Sequence, residues 1–204
     1  MKLKSHLLIA EYMQHLIKET IGVNLNMKYL KMGAIAPDLS PLTRFQKHDV
    51  NSSIDEIKTT INDMPSYGFK ELSYKLGRLS HYVSDSFCLA HNDFFLDLKK
   101  HYLYEKLILK VQDDYKMNQT KNTCYKGLSG YTGGKVDEFS LEFFEKKSSE
   151  YLKEIRSGLD ASMAETVFHD FDYAIFVGSV IIISLLNEFD VLNDSYEVKL
   201  KLSI

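Results

Sequence analysis

The 204-residue sequence has two cysteines, Cys88 and Cys124, no tryptophan and only three prolines. Two cysteines with no CxxC spacing exclude a disulfide framework and a thiol-based metal or redox pair, and reduced thiols in a cytoplasm are the expectation. Charge of one sign is also missing. The 25 basic and 28 acidic residues leave a formal net charge of -3, so no broad field draws the chain to nucleic acid or acidic lipid. An anionic ligand must be held by something local, and no stable nucleic-acid partner is expected. Long hydrophobic runs are absent too. The start, Met1 to Ala10, carries two lysines like a secretory leader, but its apolar run stops at Glu11. The longest apolar stretch, Ala174 to Leu186, covers 13 residues, short of the roughly 20 needed to cross a bilayer. It reads as a buried helix, and no transmembrane segment is expected.

What is present is helical periodicity. A 45% hydrophobic content distributed at three-to-four spacing predicts an all-α helical bundle in one domain spanning 1–204. Ser5 fits the N-cap of a first helix reaching about Thr20. Ala36 precedes Pro37, which favours extended backbone and a loop that places Asp38 off a helix. Further helices are expected near 51–63, 69–90, 93–112, 138–157 and 160–188. Between about 112 and 136 the composition shifts to Asn, Thr, Lys, Gly and Tyr, predicting a long irregular connection.

Chemistry concentrates in the first half. His81 and Asp85 stand at i and i+4, which on a helix aims both side chains to one side, about 40° apart. The spacing recurs at His101 and Glu105, with His91 between the two pairs. One such pair is more often a helical hydrogen bond than a metal site. Here, however, Asp38, His48 and His6 lie upstream, giving eight candidate ligands that use five of the seven histidines. Imidazole and carboxylate together are zinc-type donors.

The order His, Gly-x-x-x-Pro-Asp, His, His-x-x-x-Asp, His, His-x-x-x-Glu over residues 1–105 resembles the zinc-dependent phospholipase C and P1-type nuclease family. The region after 105 matches only as generic helices. The resemblance implies an all-α fold and hydrolysis of a phosphodiester by two or three Zn2+ ions, with hydroxide attacking phosphorus in line with the leaving alkoxide. It implies that Asp38, His48, His81 and Asp85 hold one zinc, and that His91, His101 and Glu105 hold a second. Asp85 would bridge to a third, shared with His6 and the backbone amine and carbonyl of Met1. Asp38 is a ligand first and a catalytic base second.

Relatives that favour phosphatidylcholine surround the head group with an acid and two aromatics. The matching positions here are Lys4, Leu39 and Phe45, so only Phe45 fits a substrate contact. The expected substrate is a phosphodiester, with a phospholipid head group favoured. A P1-type single-strand nuclease or nucleotidase, and a metal-stabilised binding protein without turnover, are the alternatives.

The remaining candidates have plainer readings. His15 falls on the opposite face of the first helix from His6. Cys88 reads as a small buried thiol, and His169 as part of a helix start rich in acids. Asp97, one turn before His101, is a candidate to orient it. Nothing in the sequence speaks to oligomeric state.

Overall fold

A computed structural model describes residues 1–42, 49–64, 68–92, 98–119, 136–157 and 163–188. Seven helices account for almost all of them: α1 Leu3–Ile21, α2 Met27–Leu39, α3 Val50–Asp63, α4 Phe69–Ser86, α5 Leu98–Gln119, α6 Val136–Ser157 and α7 Met163–Glu188. A 3-10 turn, Leu89–His91, leads from α4 towards α5. Among the described residues there is no strand, and the all-α expectation holds.

The core draws on all seven helices, with α7 at its centre. In α7 the run Ile181, Ile182 and Ile183 is fully buried, so this helix is apolar on every side because neighbours cover every side. By length and composition Met163–Asn187 could span a bilayer, but 78% of its apolar window is buried inside the protein. Each such aliphatic side chain contributes about 1.5–3 kcal/mol when removed from water.

Several local expectations are corrected. Helix α1 starts at Leu3 with Lys2 as its N-cap, so Ser5 lies inside the first turn. Its amide donates to the Lys2 carbonyl at 2.8 Å, and its hydroxyl points to Gln112 Oε1. The expected loop around Pro37 is instead helix α2, which carries Pro37 and Asp38 within its last turn. No helix was foreseen there, and packing against α4 is what overrides the local preference. Gly33 and Gly77 bring the two backbones together so closely that a Cβ on either would collide with a carbonyl oxygen of the other helix, Tyr74 or Leu30. Asn26 caps α2 by accepting from the Tyr29 amide.

The helix expected over 69–90 ends at Ser86, which leaves Cys88 off it. Helix α5 continues to Gln119, so 112–119 are helical where an irregular connection was expected, and 120–135 lie outside the described residues.

Candidate metal centre

Five segments and the Met1 amine converge at the end of the α2–α4 crossing. Helix α1 supplies His6, α2 supplies Asp38, and α4 supplies His81 and Asp85. Met1 Nα, the 3-10 turn with His91, and α5 with His101 and Glu105 close the other side. The i, i+4 spacing works as expected: His81 Nε2 lies 3.3 Å from Asp85 Oδ2, and His101 Nε2 lies 3.6 Å from Glu105 Oε1.

Asp85 is fully buried and faces both sides. Its Oδ1 lies 2.5 Å from Met1 Nα, 3.4 Å from His6 Nε2 and 3.7 Å from His91 Nε2. Asp38 sits across from it, 3.8 Å from both His6 Nε2 and His81 Nε2. Donor atoms of His6, Asp38 and His81 come within 4.8 Å of one another, and so do those of His91, His101 and Glu105. Thus His6 faces Asp38 and His81 as well as Asp85 and is not confined to the Met1 side. His48 and Phe45, like Asp97 and Cys124, lie outside the described residues.

These separations suit a shared ion. Donors about 2.0–2.1 Å from a tetrahedral zinc lie about 3.3 Å apart, close to the 3.3–3.8 Å measured between His81, Asp85, Asp38 and His6. Second contacts fix which nitrogen carries the proton. His81 Nδ1 donates to the Ala34 carbonyl at 2.9 Å. His6 Nδ1 lies 2.9 Å from Ser84 Oγ, whose own proton goes to the His81 carbonyl, so His6 must donate there too. Both rings therefore turn an unprotonated Nε2 inward. His6 Nε2 is buried with no hydrogen-bond partner. A buried nitrogen lone pair left unmatched among carboxylates is what an absent cation would explain.

Electrostatics agree with that reading. Burial, together with the neighbouring His81, holds His6 well below the usual histidine range, so it stays neutral. Burial pushes His91 down to about 3 despite the opposing pull of Asp85. Burial alone would raise Asp85, but His91, the Met1 amine, His6 and His81 hold it well below the usual carboxylate range. Burial opposes the Met1 ammonium, yet Asp85 raises it to about 10. Lys2 Nζ, 2.5 Å from Glu105 Oε2, helps to keep that carboxylate ionised against burial. The Met1 and Lys2 ammonium groups thus lie against the carboxylates of Asp85 and Glu105 and balance part of their charge.

A sequence model described as zinc dependent phospholipase C matches residues 5–158. The chain belongs to that family. The zinc-dependent phospholipase C match runs well past the ligand-bearing part, through α5 and α6, so the resemblance is wider than the 1–105 expected. No curated protein and no solved structure matches this member of the family.

Two positions escaped the sequence reading. Asp170, on α7, is fully buried and accepts from the Leu89 amide at 3.0 Å, Tyr104 Oη at 2.8 Å and Tyr151 Oη at 2.7 Å. Leu89 is two residues before His91, and Tyr104 adjoins Glu105, so Asp170 anchors both carriers of the second donor group. Its signal was an acid at a core position of α7, between Val167 and Ala174. Ser84, three residues after His81, gave no such signal. Among the bland readings, His15 is exposed, Cys88 is buried and free, and His169 pairs with Glu154 at 2.7 Å.

Proposed function

We propose that this protein is a phosphodiester hydrolase that uses zinc held by His6, Asp38, His81, Asp85, His91, His101 and Glu105. His48 and the Met1 backbone complete the set, and a phospholipid is the favoured substrate. The observation that carries the reading is the grouping of His6, Asp38 and His81 donor atoms around His6 Nε2, which is buried with no hydrogen-bond partner, beside a second group of His91, His101 and Glu105. Bound there, zinc supplies Lewis acidity, neutralising charge on phosphoryl oxygens and lowering the pKa of water towards neutrality.

The protein's own groups set the rest. Asp85, buried and ionised, presents Oδ2 to His81 and Oδ1 to Met1, His6 and His91. Ala34 and Ser84 hold the two imidazoles in the metal-ready tautomer. Asp38 keeps 27% of its side chain exposed, so it is the acid of the first group that can meet solvent and accept a proton on the substrate side.

The test is elemental analysis of the purified protein with hydrolysis of bis(p-nitrophenyl) phosphate before and after chelation. Bound zinc with chelator-sensitive turnover is expected, and a protein that takes up no zinc refutes the reading. Short-chain phospholipid set against single-stranded DNA and RNA separates the phospholipase from the nuclease. A zinc-loaded protein inert on all of them is a binding protein instead.

A further inference from the structure

A cleft of about 640 Å³ opens beside His91, between the start of α3 and one side of α6, a volume in the range of small-molecule sites. The α6 residues lining it fall at positions 145, 148, 149, 152, 153 and 156, an unbroken stripe at helical spacing. Its other stripe, Phe144, Tyr151 and Ile155, is buried in the core. Helix α6 therefore turns a polar side to the cleft, and the short side chains of Ser148 and Ser149 help to leave the space open.

Three features define what fits. Ser148 is 4% exposed, and its hydroxyl has no hydrogen-bond partner, an uncompensated cost unless something else meets it. Lys153 and Arg156 put two cations at one end. The N-terminal turn of α3, with Val50 and Asn51 at the cleft, adds the positive end of a helix. Two acids also line the cleft. Asp49 is engaged as the α3 cap, accepting from the Ser52 amide at 3.1 Å. Glu145 stands two turns before Lys153 along α6, about 12 Å away.

We propose that this cleft receives the head group of the phosphodiester, the part that stays on phosphorus while the glycerol alkoxide leaves and takes up a proton, and that this head group is hydroxylated and carries a further negative charge, as in a phosphorylated polyol. The inference rests on the hydrolase reading above. Hydroxyls meet Ser148, Ser149 and Asn51, while the added charge lies against Lys153 and Arg156. His91, shared between cleft and metal centre, sets the entrance next to the scissile bond.

The experiment compares kcat/KM of the zinc-loaded protein on dihexanoyl phosphatidylinositol 4-phosphate, glycerophosphoinositol 4-phosphate and dihexanoyl phosphatidylcholine. The phosphorylated head group should be preferred over choline by at least about tenfold, the value of one charged contact. The double variant Lys153→Gln, Arg156→Gln should reduce that preference by a similar factor. Ser148→Ala should lower it about fivefold without lowering Tm, because the hydroxyl has no partner to lose. The glycerol ester tells a lipid source from a soluble one. Choline preferred, or a preference surviving in the double variant, overturns the assignment. If no phosphodiester is cleaved, including bis(p-nitrophenyl) phosphate, the hydrolase reading fails on its own. Calorimetry with inositol 1,4-bisphosphate then decides: binding that the double variant loses supports the cleft, and no binding to the unaltered protein refutes it.

Discussion

Asp170 makes a quantitative test of how the second donor group is held. Removing its carboxylate as Asp170→Ala strands three buried donors, the Leu89 amide and the hydroxyls of Tyr104 and Tyr151. At about 1–3 kcal/mol for each unsatisfied group, offset by water entering the vacated space, the loss is about 3–5 kcal/mol. That is a large share of the roughly 5–15 kcal/mol a domain usually holds. Asp170→Asn behaves differently, because its carbonyl can keep two donors while its amide donates to Tyr151 Oη.

The pH dependence carries a sign. Burial raises the Asp170 carboxyl from 3.8 to about 7, although the Tyr151, Leu89 and Tyr104 donors pull the other way. A group whose folded pKa is raised stabilises most below its unfolded pKa and loses that contribution as pH rises through the folded value. The unaltered protein should therefore lose about 4 kcal/mol of stability from this group between pH 4 and pH 8, a loss the asparagine variant escapes. Urea unfolding of both proteins at pH 5 and pH 8, with chelator present, reads the difference while shared titrations cancel. Asp170→Asn should be the less stable at pH 5 and gain on its parent by pH 8. A gap that does not move with pH would mean the carboxylate stays ionised throughout, and the burial argument would be wrong.

Other outcomes follow from the same geometry. His81→Ala and His101→Ala should each reduce bound zinc by elemental analysis, whereas His15→Ala, on the exposed side of α1, should retain it. Equal damage at His15 would break the helical-face argument. Gly33→Ala should lower Tm by about 10 °C, since backbone on both sides of the crossing must move and an overpacked contact costs about 3 kcal/mol. Gly68→Ala, with open space around it, is the control and should change Tm little.

The metal-type donors were legible because their signal is local: a residue type with affinity for zinc, repeated at a spacing one helix face enforces. His81 with Asp85 and His101 with Glu105 needed nothing more than helical pitch. The fold class was legible for the same reason. Helix α2 was not, because the rule for residues before proline is also local, whereas the Gly33–Gly77 approach that sustains α2 joins positions far apart in sequence. The end of α4 was missed likewise: the turn at Cys88–His91 is held by Asp170 from α7, and no periodicity near residue 89 announces a partner at 170. The cleft on α6 needs α3 opposite it before its polar stripe means anything.

Met1 is 4% exposed, with its amine enclosed between Asp85 and His91, and this makes the first residue an interior component. A fusion ahead of it is therefore not a neutral handle. Peptide linkage would turn the amine into an amide that cannot be protonated or coordinate in the same way. Purification strategy thereby becomes an experimental variable. Two preparations of the same sequence, one extended ahead of Met1 and one not, are chemically different proteins at their centre and should differ in zinc stoichiometry before any side chain is altered.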